Sequence, residues 1–154
     1  WEGPSTRTVD APIGRDPRNR LRMAVVDSGK PAATTFELLD DCNNGDNGGE
    51  NACWVRATLH TGRTHQIRVH MAHIGHPLVA DALYGGAPAA GLQRQALHAF
   101  RLAFRHPVTD VQLEFRAPLP ADLLGALRAW GVRYNESEGL KATPPTVRGT
   151  RRGT

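Results

Sequence analysis

The sequence has few cysteines and no long apolar run, and both shortages exclude common protein classes. No apolar stretch approaches the roughly 20 residues of a transmembrane helix, so we expect no membrane partner. The 154 residues include two cysteines, Cys42 and Cys53, whereas a disulfide framework needs more pairs. Their spacing fits no zinc motif either, so we expect two reduced thiols in a cytoplasmic protein.

The motifs of hydrolases and metalloenzymes are also missing. No serine or cysteine stands in a nucleophile elbow that a histidine could serve. Zinc needs three or four converging ligands, and the His-Glu-x-x-His template is absent. On a helix His70 and His73 would share a side, but His65 would lie elsewhere. We therefore predict no metal site, although one stretch holds five histidines: His60, His65, His70, His73 and His76.

The net charge of +4 is distributed unevenly. Residues 141–154 carry four bases and no acid, so residues 1–140 balance at fifteen of each. Residues 31–55 hold five acids and no base, whereas residues 56–116 hold seven arginines against three acids. This segregation is typical of a basic face that attracts phosphate backbones, and a merely solvated surface is the alternative.

Hydrophobic periodicity predicts an α+β fold, a mostly antiparallel mixed sheet with two or three helices. We expect residues 1–138 to form the folded part. We expect a flexible loop over 41–52, which is rich in Asn and Gly, and a basic disordered tail over 139–154. The predicted elements are an irregular lead-in (1–19), a hairpin (20–26 with 33–39), a strand (53–59), a helix (about 64–74), a second hairpin (95–104 with 111–115) and a final helix (120–131).

The stretch from Leu59 to Pro77 contains most of the polar groups suited to a binding site. Ile67, Met71 and Ile74 recur at helical spacing and predict a buried face, with Arg68 one position off its centre. We expect Thr64 or Thr61 to cap this helix and Gly75 to end it. Helix starts bind anions, which favours a ligand site here over a row of surface side chains.

A longer set of motifs resembles the RluA family of RNA pseudouridine synthases. The segment 61–70, Thr-Gly-Arg-Thr-His-Gln-Ile-Arg-Val-His, is followed by His-Pro-Leu-Val-Ala-Asp at 76–81 and by Tyr-Gly-Gly at 84–86. Other pieces agree in order, so the resemblance covers about residues 9–131. One departure is Ala80, where the family usually has glycine before the aspartate.

The resemblance implies isomerisation of uridine to pseudouridine in structured, ribosomal RNA, with RNA as partner and no cofactor. The uridine must leave the RNA stack, and an ionised aspartate must then attack or deprotonate its sugar. By position, Arg68 is the partner of that aspartate, because a guanidinium holds a carboxylate ionised and aimed. We expect Asp81 to cap or pair structurally. The residues expected to bind RNA are Arg63, Thr64, His65, Gln66 and Arg22.

The aspartate itself is missing. The family's nucleophile lies in a motif close to Arg-Leu-Asp-x-x-Thr-Ser-Gly, and the sequence contains nothing similar. We therefore expect a C-terminal half of a catalytic domain, inactive alone, whose partner is the missing N-terminal half. The alternatives are a non-catalytic RNA-binding module and a fragment without independent function.

Overall fold

The computed structural model describes residues 1–42 and 52–132, which form seven strands, two α-helices and one 3₁₀ helix. The predicted α+β class is confirmed. The predicted loop 41–52 falls largely, and the tail 139–154 entirely, outside the described residues. In chain order the elements are β1 (Thr6–Asp10), β2 (Ile13–Arg15), β3 (Met23–Val25), β4 (Ala33–Asp40), β5 (Trp54–Leu59), α1 (Gln66–His73), the 3₁₀ helix (Ala82–Tyr84), β6 (Arg101–Arg105), β7 (Gln112–Arg116) and α2 (Ala121–Ala129).

The strands form three antiparallel sheets, in the orders β1-β4-β5, β2-β3 and β6-β7. The predicted hairpin of 20–26 with 33–39 is wrong, because β3 pairs with β2 while β4 pairs with β1 and β5. Strand β1 lies in the segment predicted to be irregular. Its only buried side chain is Val9, so its alternation is hidden among polar residues.

The turn after β3 explains the different pairing. Lys30 and Ile13 exchange backbone hydrogen bonds of 2.8 and 2.9 Å, which keep the turn beside β2. Gly29 lies so close to this strand that a Cβ atom would stand 2.5 Å from the carbonyl carbon of Ile13. The close approach therefore needs glycine at this position.

The second hairpin and the final helix are confirmed, although β6 begins only at Arg101. Helix α2 buries the predicted face of Leu123, Leu127 and Trp130. Cys42 lies in the same cluster, where burial and the nearby Asp40 carboxylate raise the pKa of its thiol to about 11. Both cysteines are free thiols, as expected.

Helix α1 packs its predicted apolar face on the three-stranded sheet. Met71 is buried with Val9 and Phe36, and Ile67 and Ile74 lie partly buried against the same cluster. Burying such side chains contributes about 1.5–3 kcal/mol each. This packing fixes the orientation of α1 and therefore of the polar residues at its start. Within the described ranges, no helix is both long and apolar enough to cross a membrane.

Candidate functional site

A cleft of about 350 Å³ lies where β5 ends and α1 begins. Leu59, Ile67 and Leu97 supply apolar lining. The sequence-predicted residues that line it as well are Arg63, His65, Gln66 and Arg68. The structure therefore brings together four of the six predicted site residues around one concave surface.

The start of α1 is built differently from the prediction. Its N-cap is His65, in the left-handed region at φ 55°, and no side chain caps it. Thr61 and Thr64 are therefore not caps, and Thr64 is exposed beside the cleft. Few non-glycine residues adopt this backbone conformation, so the surrounding contacts must hold it.

Gln66 supplies those contacts. Its Oε1 accepts hydrogen bonds from the Thr61 hydroxyl at 2.7 Å and from the Arg63 N–H at 2.9 Å. Its Nε2 donates to the Ala33 carbonyl and to the Thr34 hydroxyl, both at 2.9 Å. Two accepted and two donated bonds use the main capacity of the amide, which is 3% exposed. The geometry makes Gln66 a brace for the turn.

Arg68 makes a two-bond ion pair with Asp81. Its Nε donates to Oδ2 at 3.0 Å and its Nη2 to Oδ1 at 2.8 Å, with the side chains 14% and 1% exposed. The pairing raises the pKa of Arg68. Among the described residues its Nη1 has no hydrogen-bond partner, so this end of the guanidinium remains available to a ligand.

Asp81 is held by a tight turn. Its N–H donates to the Leu78 carbonyl at 3.1 Å, and its carbonyl accepts the Gly86 N–H at 2.8 Å. A Cβ on Gly86 would stand 1.9 Å from the Leu78 oxygen, so the turn excludes any side chain there. Ala80 adopts φ 59°, which accounts physically for the preference for glycine before the aspartate.

Tyr84 connects these groups, and the sequence had assigned it no role. The Arg68 guanidinium lies 4.9 Å from the centre of its ring. Its hydroxyl accepts the Met23 N–H at 3.0 Å and lies 2.7 Å from His65 Nδ1. Burial, and then the Arg68 charge, lower the pKa of His65. In the sequence, the Tyr-Gly-Gly motif at 84–86 was the feature that could have indicated a role for Tyr84.

The remaining predicted residues lie in different places. Arg63 is half-buried in the cleft, and its Nε donates to the Pro31 carbonyl at 2.9 Å. Arg22 does not line the cleft, since its Nε pairs with Asp16 at 2.8 Å. Its Nη1 donates to the Leu83 carbonyl at 3.1 Å, which attaches it to the 3₁₀ helix.

The histidines of the stretch from Leu59 to Pro77 do not converge. His70 is fully buried, where its Nε2 donates to the Ala11 carbonyl at 2.9 Å and its Nδ1 accepts the Thr34 hydroxyl at 2.8 Å. His76 stacks on Trp1, with the ring centres 5.1 Å apart. Across residues 1–42 and 52–132, no three His, Cys, Asp or Glu side chains lie close enough together to hold a metal ion.

Comparisons with known proteins agree with the resemblance. Residues 4–73 match the family model described as RNA pseudouridylate synthase. An uncharacterized RNA pseudouridine synthase of Chloroflexus aurantiacus is 52% identical over 126 residues, covering 81% of this chain and 38% of that protein. The ribosomal large subunit pseudouridine synthase D of Escherichia coli K12 is 39% identical over 142 residues, covering 84% of this chain and 41% of that protein.

Solved structures show the same relationship. The human RNA pseudouridylate synthase domain containing 1 superposes with a TM-score of 0.65 at 31% identity, covering 78% of this chain and 51% of that one. The chain thus spans about two fifths of the length of these curated relatives and about half of this structural relative. On these matches the chain belongs to the RNA pseudouridine synthase family.

Proposed function

We propose that this chain is the C-terminal part of a catalytic domain that converts uridine to pseudouridine in ribosomal RNA in the bacterial cytoplasm. The observation that carries the proposal is Arg68, which Asp81 fixes from one side while Nη1 has no partner among the described residues. A nucleophilic aspartate from outside the chain pairs with that free end. The isolated chain is therefore inactive.

The cleft has the chemistry that a flipped uridine requires. A base removed from the RNA stack needs apolar surface against its faces, which Leu59, Ile67 and Leu97 provide. Arg63 lies in the same cleft and can bind a flanking phosphate, and Thr64 is exposed next to it. His65 lines the same cleft and can contact the RNA, and Gln66 acts through the turn that it braces.

The aspartate must be ionised although the site is partly removed from water. Desolvation raises the pKa of a carboxyl group, whereas an arginine within hydrogen-bond distance lowers it. Arg68 provides that charge in a fixed orientation, because its other edge is bound to a carboxylate that is 1% exposed. Asp81 itself is committed to this pair and is not the nucleophile.

A second, larger groove supports the proposed missing half. About 1250 Å³ in volume, it lies between β5 on one side and the β6–β7 hairpin and α2 on the other. Strand β5 pairs only with β4 among the described strands, and Leu59 and Leu102 in its lining are 50% and 61% exposed. Unpaired strand edges and exposed apolar side chains favour a further segment of the same domain as occupant.

Tritium release from ribosomal RNA labelled at uridine C5 tests the proposal. The isolated chain should release none, and the chain extended by the upstream segment of its gene, carrying Arg-Leu-Asp-x-x-Thr-Ser-Gly, should release tritium. An extended chain that binds RNA without releasing tritium would instead favour the non-catalytic RNA-binding module. Release by the short chain would contradict the assignment of the nucleophile to the missing half.

A further inference from the structure

The segment 16–22, which we call the arginine loop, connects β2 to β3 and is organised by one buried carboxylate. Asp16 is 6% exposed, and its Oδ1 accepts the Arg18 N–H at 2.9 Å while its Oδ2 accepts Arg22 Nε at 2.8 Å. Its own N–H donates to the Arg22 carbonyl at 3.0 Å. Asn19 adds a side-chain bond to the Leu21 N–H at 3.1 Å. The loop therefore has a defined shape.

The loop presents an unusual combination of side chains to solvent. Leu21 is 84% exposed, and the neighbouring Arg18 and Arg20 are exposed as well. Neither arginine has an ion-pair partner among the described residues, and the only acid of the loop, Asp16, is already bound to Arg22. The outer surface of the loop is thus positive, and it carries one large exposed apolar side chain together with two arginines that have no ion-pair partner among the described residues.

Two hydrogen bonds attach the loop to the 3₁₀ helix, Ala82–Tyr84. Arg22 Nη1 donates to the Leu83 carbonyl at 3.1 Å, and the next residue, Met23, donates its N–H to the Tyr84 hydroxyl at 3.0 Å. Tyr84 in turn contacts both Arg68 and His65. The arginine loop is therefore fixed relative to the residues that would hold the target nucleotide.

We propose that the arginine loop binds RNA beside the nucleotide in the cleft, an assignment that rests on the proposed function. Arg18 and Arg20 bind backbone phosphates of neighbouring nucleotides. Leu21 packs against the face of a base that loses its stacking partner when the uridine flips out, as apolar wedges do in other nucleic-acid complexes. The loop thus selects RNA that is opened at the target position.

RNA suits this surface better than a protein partner does. A protein interface is built around a cluster of buried apolar and aromatic residues, whereas the loop offers one leucine among arginines. Single-strand binding combines positive charge with a surface for bases, which matches the arrangement here. A protein partner is the alternative that the experiment must separate.

The test uses this chain and a fluorescein-labelled RNA stem–loop with one loop uridine flanked by 2-aminopurine. Anisotropy at several low salt concentrations gives the dissociation constant and its salt dependence, and 2-aminopurine emission reports stacking. Arg18→Ala and Arg20→Ala should each weaken binding about three- to tenfold and reduce the salt slope by about one. Leu21→Ala should weaken binding about threefold and abolish the 2-aminopurine change.

Exposed residues of the β6–β7 hairpin provide the controls, although Arg105 pairs with Asp110 at 3.2 Å. Val108 is 85% exposed, and Arg105 is an exposed arginine of the same hairpin. Val108→Ala and Arg105→Ala should leave affinity, salt slope and emission unchanged. If they weaken binding as much as the loop variants do, the effect is non-specific and the proposal is wrong.

The outcomes separate this proposal from the proposed function. Wild-type RNA binding by all three loop variants, together with weaker binding by Arg63→Ala, would overturn the loop assignment and leave the cleft in place. It would then favour a protein as the partner of the loop. Failure of the unmodified chain to bind RNA at low salt would also overturn it, while tritium release by the extended chain would still decide the proposed function.

Discussion

The start of α1 and the β6–β7 hairpin each share a concave surface with β5, and they differ in how far their side chains are buried and paired among the described residues. Around α1 the largely buried Gln66 is hydrogen-bonded to backbone and hydroxyl groups, and Arg68 is paired with the buried Asp81. On the hairpin, Leu102 and Phe115 are 61% and 55% exposed, although their residue types favour burial. The first region is stable within this chain, whereas the second has the composition of an interface.

This difference indicates that the α1 site is stabilised by contacts within the chain, whereas the β6–β7 hairpin depends on another segment. Substitutions at the α1 site should lower the free energy of unfolding of the isolated chain. Substitutions on the hairpin should affect association far more than stability.

The largest loss of stability should follow removal of the Asp81 carboxylate. Asp81→Asn leaves the largely buried Arg68 without a counter-charge, which typically costs about 3–5 kcal/mol. Urea denaturation measures the change. The matched control is Glu37→Gln, because its pair with Arg56 is long, at 3.8 Å, and exposed, and should contribute at most about 0.5 kcal/mol. Equal effects of the two substitutions would contradict the difference between the regions.

Acid should destabilise the chain through His70. Burial lowers the pKa of this ring in the folded state, so the unfolded chain binds more protons once the pH falls below the ordinary value of about 6.5. The contribution is therefore fully present above about pH 6.5 and is lost as the pH falls towards the depressed folded pKa. Urea midpoints measured between pH 8 and 5 should fall, and His70→Gln should flatten the curve. An equally steep curve in the variant would exclude His70 as the cause.

Ala80→Gly should raise the free energy of unfolding, by less than Asp81→Asn lowers it. Alanine at φ 59° costs about 1–2 kcal/mol, and glycine removes that cost while adding about 0.4–1 kcal/mol of unfolded-state entropy. We expect a net gain of about 0.5–1 kcal/mol in thermal or urea unfolding. Gly125→Ala, which has open space in α2, is a second stabilising change that acts only on helix propensity. A loss of stability in Ala80→Gly would mean that the turn holding Asp81 is not strained.

The smallest effect on stability should come from the hairpin. Leu102→Ser should change the free energy of unfolding by no more than about 0.5 kcal/mol, because the side chain is mostly in water already. The same substitution should weaken binding of the upstream half, measured by co-purification of the two separately expressed segments. If Leu102→Ser left binding of the upstream half unchanged and greatly lowered the free energy of unfolding, the hairpin would be part of the chain's own core and not an interface.

Periodicity predicted the elements better than their partners. Strand β5, helix α2 and the apolar face of α1 followed from local patterns, since their apolar residues recur at regular spacing. The pairing of β4 with β1 did not, because β1 buries a single side chain and its register depends on residues far away in sequence.

The site was predicted in part for the same reason. Arg63, His65, Gln66 and Arg68 lie close together in sequence, so local reasoning could group them around one helix start. The roles of Asp81 and Tyr84 depend on a turn that brings distant residues against α1, and no local pattern fixes that contact. The brace formed by Gln66 also depends on β4, which supplies two of its four partners.

The most direct test of the account is tritium release by the extended chain carrying Arg68→Lys, with folding checked by circular dichroism. Lysine keeps the charge but cannot bind Asp81 and a second carboxylate in fixed geometry, so turnover should fall by at least about a hundredfold. Arg128→Lys, the same change at an exposed position of α2, serves as the matched variant and should retain the activity. Near wild-type turnover in a folded Arg68→Lys protein would contradict the assignment of Arg68 as the partner of the nucleophile.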